Sequence, residues 1–151
     1  MLGKIYHVGL TVSNIDKSIE FYRDILGLEF QGEILMEGKE TDILFNKPNS
    51  RCRVAYLNGS KIIHTPPIEL IQFLDTEIYN SKADLFKTSI SEICFEVKDI
   101  QKVYEHLLAN KVECLSSPQY FDFTKQGMGK SKALYFKDPD GIILELMESI
   151  E

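Results

Sequence analysis

The chain has 151 residues, 44% of them apolar and 26% charged, with 17 basic against 23 acidic side chains and a net charge of −6. At that size about 68–70% of the unfolded surface is buried on folding, which suits one domain or two tightly coupled half-domains. The scattered basic residues argue against nucleic acid or an anionic membrane as partner.

No apolar run approaches the ~20 residues a membrane helix needs. The start, Met-Leu-Gly-Lys-Ile-Tyr-His, holds no apolar stretch of signal-peptide length. Both point to a cytoplasmic protein. Cys52, Cys94 and Cys114 are odd in number, widely spaced and form no CxxC. They read as thiols in a reducing cytosol rather than as bridges or metal ligands.

Along the chain, alternation predicts a strand over residues 4–12. Val8, Leu10 and Val12 fall on one face, and Ile5, His7, Gly9 and Thr11 on the other. Ser13-Asn14 then offers an N-cap for a helix with Ile15, Ile19, Tyr22, Ile25 and Leu26 along one side, and Gly27 fits the position that ends it. Three short strands follow near 28–35, either 43–46 or 52–57, and 67–74, with Asn58-Gly59 a hairpin signal and Pro66-Pro67 a breaker. Residues 75–89 keep no period and read as a linker. A strand over 90–97 comes next. Asp99 then caps a helix carrying Ile100, Val103, Tyr104, Leu107 and Leu108, and strands are expected near 112–116, 132–137 and 142–148. Asp138-Pro-Asp-Gly141 is a tight turn, because proline presets φ and glycine accepts positive φ.

The two halves are copies. At an offset of 85, residues 5–22 and 90–107 share five identical pairs: Ile5/Ile90, Val12/Val97, Ile15/Ile100, Lys17/Lys102 and Glu20/Glu105. Two modules of order βαβββ, about 4–74 and 90–148, therefore make up one α+β domain. The same offset maps His7 onto Glu92. Both side chains can ligate a metal, and alternation directs both away from the helix face.

Each module's last strand also carries a carboxylate between apolar residues, Ile68-Glu69-Leu70 and Ile143-Leu144-Glu145-Leu146. A lone glutamate in such a strand usually faces solvent. Recurrence in two copies of one strand favours a built site, because an unpaired buried charge costs several kcal/mol. One imidazole with three carboxylates suits a divalent cation of oxygen preference, with Ni²⁺, Co²⁺ or Mn²⁺ ahead of tetrahedral Zn²⁺.

Weaker signals are His64, a loop residue near Glu69 and a substitute ligand; His106, at a helix surface; and Arg51 and Arg53, candidate holders of an anion. Tyr120-Phe-Asp-Phe123 with Thr-Lys-Gln-Gly-Met-Gly129 reads either as an apolar pocket wall with a flexible cover or as a plain strand end and connection. It does not have the strand-to-helix pattern of a phosphate cradle.

The segments His7-Val-Gly-Leu-Thr-Val-Ser-Asn-Ile-Asp-Lys-Ser-Ile-Glu-Phe-Tyr22, Leu26-Gly-Leu28, Pro67-Ile-Glu-Leu70, Ile93-Cys-Phe-Glu-Val-Lys-Asp-Ile100 and Phe136-Lys-Asp-Pro-Asp-Gly-Ile-Ile-Leu-Glu-Leu146 together resemble the vicinal oxygen chelate superfamily. That group includes glyoxalase I, methylmalonyl-CoA epimerase, extradiol dioxygenases and the bleomycin- and fosfomycin-resistance proteins. The resemblance implies paired βαβββ modules curled into a cup around one divalent metal held by His7, Glu69, Glu92 and Glu145. Glu92 departs from the family, which usually has histidine there.

A single histidine argues against the dioxygenase and fosfomycin branches, which want two histidines and one glutamate. The implied activity is a metal-dependent lyase or isomerase of the glyoxalase I type on a small substrate. The metal polarises a carbonyl there, and Glu145 or Glu69 moves the adjacent proton. The alternative is a metal-free small-molecule or antibiotic binder of the bleomycin-resistance type. Open sheet edges that must pair to close the cup lead to the expectation of a homodimer.

Overall fold

The computed structural model describes residues 3–59 and 67–150, and it separates into two compact units, Met1–Asn80 and Ser81–Glu151. In the first, β1 (Val8–Thr11) leads through α1 (Ile15–Glu20) and a π-helical turn (Phe21–Ile25) to β2 (Glu29–Met36). A short α2 (Lys39–Phe45) precedes β3 (Cys52–Asn58) and β4 (Ile68–Phe73). The second unit runs β5 (Ile93–Glu96), α3 (Ile100–Ala109), β6 (Gln119–Asp122), β7 (Lys130–Lys137) and β8 (Ile143–Ile150). Each unit is a four-stranded mixed sheet, ordered β1-β4-β3-β2 and β5-β8-β7-β6, with one parallel pair and two antiparallel ones. This is the α+β architecture and βαβββ order that the repeat predicts.

Equivalent hydrogen bonds build the two copies. Asn14 and Asp99 cap their helices by accepting from the backbone N–H of Lys17 at 3.1 Å and Lys102 at 3.0 Å. A side chain from the last strand satisfies a second orphan donor in each. Gln72 accepts from the Ile15 N–H at 2.9 Å, and Glu148 from the Ile100 N–H at 3.0 Å. The Val12 and Val97 amides each donate to a last-strand carbonyl, Ile71 and Met147, at 2.9 Å. These ties fix the helix over one sheet face, where Val12, Ile15, Leu57 and Leu70 are fully buried in the first unit and Ile100, Leu107, Phe136 and Leu144 in the second. The Asp138–Gly141 turn forms as expected. Asp138 Oδ1 accepts from the amides of Asp140 and Ile142, and Gly141 has φ of 81°.

Several expected boundaries shift. His7 and Glu92 lie immediately before β1 and β5 rather than inside a strand. In the first unit the reason is visible. The register pairs Val8 with Ile68, so His7 falls opposite Pro67, which has no N–H to extend the ladder, and pairing begins with the Val8 amide on the Pro67 carbonyl at 3.1 Å.

Residues 43–46 lie in and just after α2, so the middle strand is the alternative at 52–57. Asp42 holds that helix to the following chain by accepting from the Asn49 and Ser50 amides, and Asn46 closes it at φ 50°. The strand expected at 112–116 reduces to one bridge, Cys114 to Phe136, and β6 takes its place further on. The first helix widens to a π turn, with Leu26 N–H on the Phe21 carbonyl at 3.0 Å. That wider turn lets the adjacent Phe21 and Tyr22 both enter the core. Pro66 and His64 lie outside the described residues. Among the described residues no helix is long and apolar enough to cross a membrane.

Candidate functional site

Strand alternation in each unit puts one set of side chains under the helix and the other set on the opposite face. In the first unit the register aligns Gly9, Glu69 and Tyr56 across β1, β4 and β3. In the second it aligns Cys94, Glu145 and Tyr135 across β5, β8 and β7. Both expected glutamates therefore occupy the same place in their sheets, opposite a tyrosine on the antiparallel neighbour. Sequence reading missed the tyrosines.

Around Glu69 the geometry is tight. The residue is buried at 9% exposure, between Ile68 and Leu70, so it does not face solvent like an ordinary strand glutamate. Its Oε2 lies 3.5 Å from His7 Nε2, and Tyr56 stands opposite it on β3. Burial first, and then the Glu69 carboxylate, pushes the Tyr56 phenol up to about 12. The exposed His7 ring is 6.2 Å from the Tyr56 ring and 5.9 Å from that of Tyr6. Gly9 leaves the carboxylate its space, since a Cβ there would sit 3.5 Å from Glu69 Oε1.

The second unit uses different groups in the same frame. Cys94 takes the place of Gly9, opposite Glu145 in the register. Desolvation, and then the Glu145 and Glu92 carboxylates, push the Cys94 thiol up to about 12, although the residue as a whole is exposed. Tyr135 is raised as well, by desolvation and then by the charges of Glu145 and Glu92. Glu92 and Glu145 are half-buried. Among the described residues, neither glutamate nor Glu69 is paired with a lysine or arginine.

Within either unit the described residues bring together no three His, Cys, Asp or Glu side chains able to hold a metal. What each contributes is a pair or near-pair: His7 with Glu69, and Glu92 with Glu145. An imidazole beside a buried carboxylate, and carboxylates with no cationic partner, is donor chemistry that fits a hard divalent ion.

The remaining candidates separate from these pairs. Arg51 binds Glu37 at 3.0 Å and Asp75 at 3.3 Å, and Arg53 binds Glu33 at 2.6 Å and Asp16 at 2.8 Å. Those carboxylates raise both guanidinium pKa values, and the cations are committed to structural pairs rather than to an anionic ligand. His106 is exposed on α3. The run at 120–129 forms an ordered hairpin, with Phe123 N–H on the Gly129 carbonyl at 2.8 Å, Asp122 capping Thr124, and the Phe121 and Phe123 rings stacked at 5.7 Å.

Residues 4–146 match the model of the Glyoxalase/Bleomycin resistance protein/Dioxygenase superfamily. The chain is 34% identical over 148 residues to a metallothiol transferase FosB of Staphylococcus epidermidis, covering 97% of this chain and 84% of that protein. It is 24% identical over 151 residues to the mitochondrial methylmalonyl-CoA epimerase of Mus musculus, covering 98% of this chain and 74% of the other. A glyoxalase family protein from Bacillus cereus superposes with a TM-score of 0.83 at 21% identity, over 100% of this chain and 97% of that one. The fold is therefore glyoxalase-like.

Proposed function

The chain belongs to the Glyoxalase/Bleomycin resistance protein/Dioxygenase superfamily, and we propose that it is a metal-dependent lyase or isomerase acting on a small carbonyl compound. His7, Glu69, Glu92 and Glu145 would hold one divalent ion, with Ni²⁺, Co²⁺ or Mn²⁺ preferred. The observation that carries this reading is Glu69: a buried carboxylate with a histidine 3.5 Å away, no lysine or arginine partner among the described residues, and an equivalent glutamate in the second sheet. A bound dication would supply Lewis acidity to a substrate carbonyl.

The protein's own part is proton transfer. Glu69 or Glu145 takes the proton from the carbon next to the carbonyl, the electron pair moves onto the carbonyl oxygen, and the same carboxylate returns the proton to an adjacent position. Its strand keeps that carboxylate at one place in the sheet.

A second reading has its own support. The 34% identity to a metallothiol transferase favours attack of a thiol on a small electrophile. It conflicts with the single histidine of this donor set, and the lyase reading therefore stays first. The metal-free binder is the alternative that a metal test removes or restores.

Isothermal titration of chelator-stripped protein with Mn²⁺, Ni²⁺, Co²⁺ and Zn²⁺ should give saturable binding of about one ion per complete site. A flat trace for all four makes the metal-free binder the better reading. With metal bound, exchange of a substrate α-proton into deuterated solvent, followed by NMR, separates the lyase and isomerase reading from thiol transfer, which consumes a thiol instead. Light scattering should show the homodimer expected of modules with open sheet edges, and a monomer at micromolar concentration would remove that part of the proposal.

A further inference from the structure

We infer that the open end of the glutamate face in the second module seats an uncharged aromatic tail of the substrate, held by Phe121, Phe123 and Met147. This rests on the preceding section, where a small carbonyl compound meets Glu145 or Glu69, and it describes the rest of that compound.

Register puts these side chains on the glutamate's side of the sheet. Met147 is two residues beyond Glu145 on β8 and pairs with Ala133 on β7. Phe121 pairs with Ser131, two residues from Ala133 on the same strand. Alternation gives all of them the face of Glu145 and Tyr135, whereas Leu134, Leu144 and Leu146 are buried on the helix face. The Phe123 ring stacks with that of Phe121, 5.7 Å away and at 7° between planes. Phe121, Phe123 and Met147 are 40%, 38% and 38% exposed, so a ligand laid on them would remove apolar surface from water. Two strand residues span ~6.6 Å, about the reach from a carbonyl at Glu145 to a ring attached to it.

The first module shows what covers the equivalent positions there. Ile71, Val54 and Cys52 correspond to Met147, Ala133 and Ser131 in the pairing of each last strand with its neighbour. Val54 and Cys52 are buried, and Phe45 of α2 packs its ring 5.3 Å from that of Phe73, the next position on this face of β4. The helix α2 is inserted in the connection from β2 to β3. The same connection in the second module, β6 to β7, holds only the three-residue turn Thr124–Gln126. That module therefore has no α2 of its own to lay over the face.

Charge selects the occupant. The acidic strand positions on this face are Glu96 and Glu145, and its basic one, Lys137, is bound to Glu113 at 2.6 Å at the opposite end of β7. A phosphate or carboxylate tail would meet these carboxylates with no free cation among the strand positions. Two parallel rings instead present themselves to a third, for which offset stacking is favourable.

The test is an NMR titration of the full chain, free of metal, with 2-hydroxyacetophenone and with hydroxyacetone. The two share an α-hydroxyketone head and differ in a phenyl against a methyl tail. The aryl ketone should shift the amide signals of Phe121, Phe123, Ala133 and Met147 saturably. It should bind at least about tenfold more tightly than hydroxyacetone, or ~1.4 kcal/mol. Phe121→Ala combined with Phe123→Ala should abolish that preference and leave hydroxyacetone binding unchanged. Tyr120→Ala, on the opposite face of the same strand, should keep the preference.

No saturable shift at those amides in the wild type overturns the inference, whether or not the variants fold. A preference that survives the double variant, or is lost equally in Tyr120→Ala, overturns it as well. If the double variant halves the mass seen by light scattering while the aryl ketone shifts nothing in the wild type, the face is a contact between two copies and the inference fails. The metal is tested separately, by the Mn²⁺ titration of the preceding section. A flat trace there with the aryl shifts intact removes the metal and sustains the seat, whereas saturable Mn²⁺ binding without aryl shifts does the reverse.

Discussion

The two modules share a frame and differ in what it holds. Both cap their helices from equivalent positions, both tie the helix start to the last strand, and both place a glutamate opposite a tyrosine. At the front of that frame the first module has His7 and Gly9, and the second has Glu92 and Cys94. Glycine leaves Glu69 room beside the His7 imidazole, whereas the second module has a cysteine opposite Glu145. The helix side of the repeat is kept by packing and capping. The opposite side has diverged, as expected where chemistry rather than stability decides the residue.

The largest expected effect comes from breaking the first module. Glu69→Gln keeps the shape of the side chain, so the fold should survive. It removes the anionic donor beside His7, and metal affinity should fall by at least about 100-fold, or ~2.7 kcal/mol. Calorimetry checks this, with Glu145→Gln as its counterpart. If Glu145→Gln has the larger effect, the second module is the principal holder of the ion and the emphasis on His7 and Glu69 is misplaced.

Glu92→His sharpens the comparison by making the second module resemble the first. A neutral nitrogen replaces an anionic oxygen, which changes the charge of the four residues together with a bound dication from −1 to 0 with all carboxylates ionised. Preference should move toward Zn²⁺ with binding retained. Glu92→Ala should lose about tenfold, ~1.4 kcal/mol, if Glu92 is a ligand. Unchanged affinity and unchanged metal order in both variants would take Glu92 out of the site.

Alkaline pH probes the same faces without metal, on top of a loss shared with Cys52 and Cys114, whose thiols burial also raises. An ordinary thiol titrates near ~8.5 and a phenol near ~10, while Cys94 and Tyr56 are each pushed up to about 12. Raised folded-state values mean that the unfolded chain gives up these protons first. Their contribution to stability is therefore intact below about pH 8.5 and lost progressively as pH rises toward 12. Glu145 and Glu92 act on Cys94 directly, and Tyr135 responds to the same two carboxylates. In urea titrations of metal-free protein, Cys94→Ser should flatten the loss that begins near pH 8.5–9, and Tyr56→Phe the part above about pH 10. A decline of the same steepness in wild type and Cys94→Ser would show that the folded protein does not raise the Cys94 thiol.

Much of this was legible in the sequence, for particular reasons. The offset of 85 aligned the strand and helix at the start of each module because no insertion interrupts residues 5–22 or 90–107. The same offset could not find the tyrosines. Tyr56 to Tyr135 is 135 − 56 = 79 and Glu69 to Glu145 is 145 − 69 = 76, since the loops and α2 of the first module have no equal-length counterpart. Only the sheet register brings each tyrosine to its glutamate. Asp42-Ile-Leu-Phe45 is too short and too apolar for its period to tell helix from strand, and the deciding contacts, Asp42 with the Asn49 and Ser50 amides and Phe45 against Phe73 at 5.3 Å, join residues distant in sequence. The glutamates were legible because an acid repeated between aliphatic residues breaks a strong pattern. Cys94 gave no such signal, because a cysteine in an apolar strand looks like core.

The smallest expected effect tests the part of the frame the modules share. Gln72 Oε1 and Glu148 Oε2 accept from the first helical amide of α1 and α3 at nearly equal distances, 2.9 and 3.0 Å. Removing either acceptor leaves a part-buried helix donor unsatisfied, which costs about 1 kcal/mol. The two need not be equal, because a carboxylate at a helix N-terminus also meets the positive end of the helix dipole, a gain of ~0.3–1 kcal/mol that an amide lacks. Glu148→Ala should therefore destabilise more than Gln72→Ala, and Glu148→Gln should recover most but not all of the difference. Urea denaturation at pH 7 and low salt measures all three. High salt should narrow the gap between Glu148→Ala and Gln72→Ala, because only the charge-dipole part is screened. If the gap survives salt, the difference between the helix ties lies in local packing, and the electrostatic contrast between the modules is confined to the glutamate face.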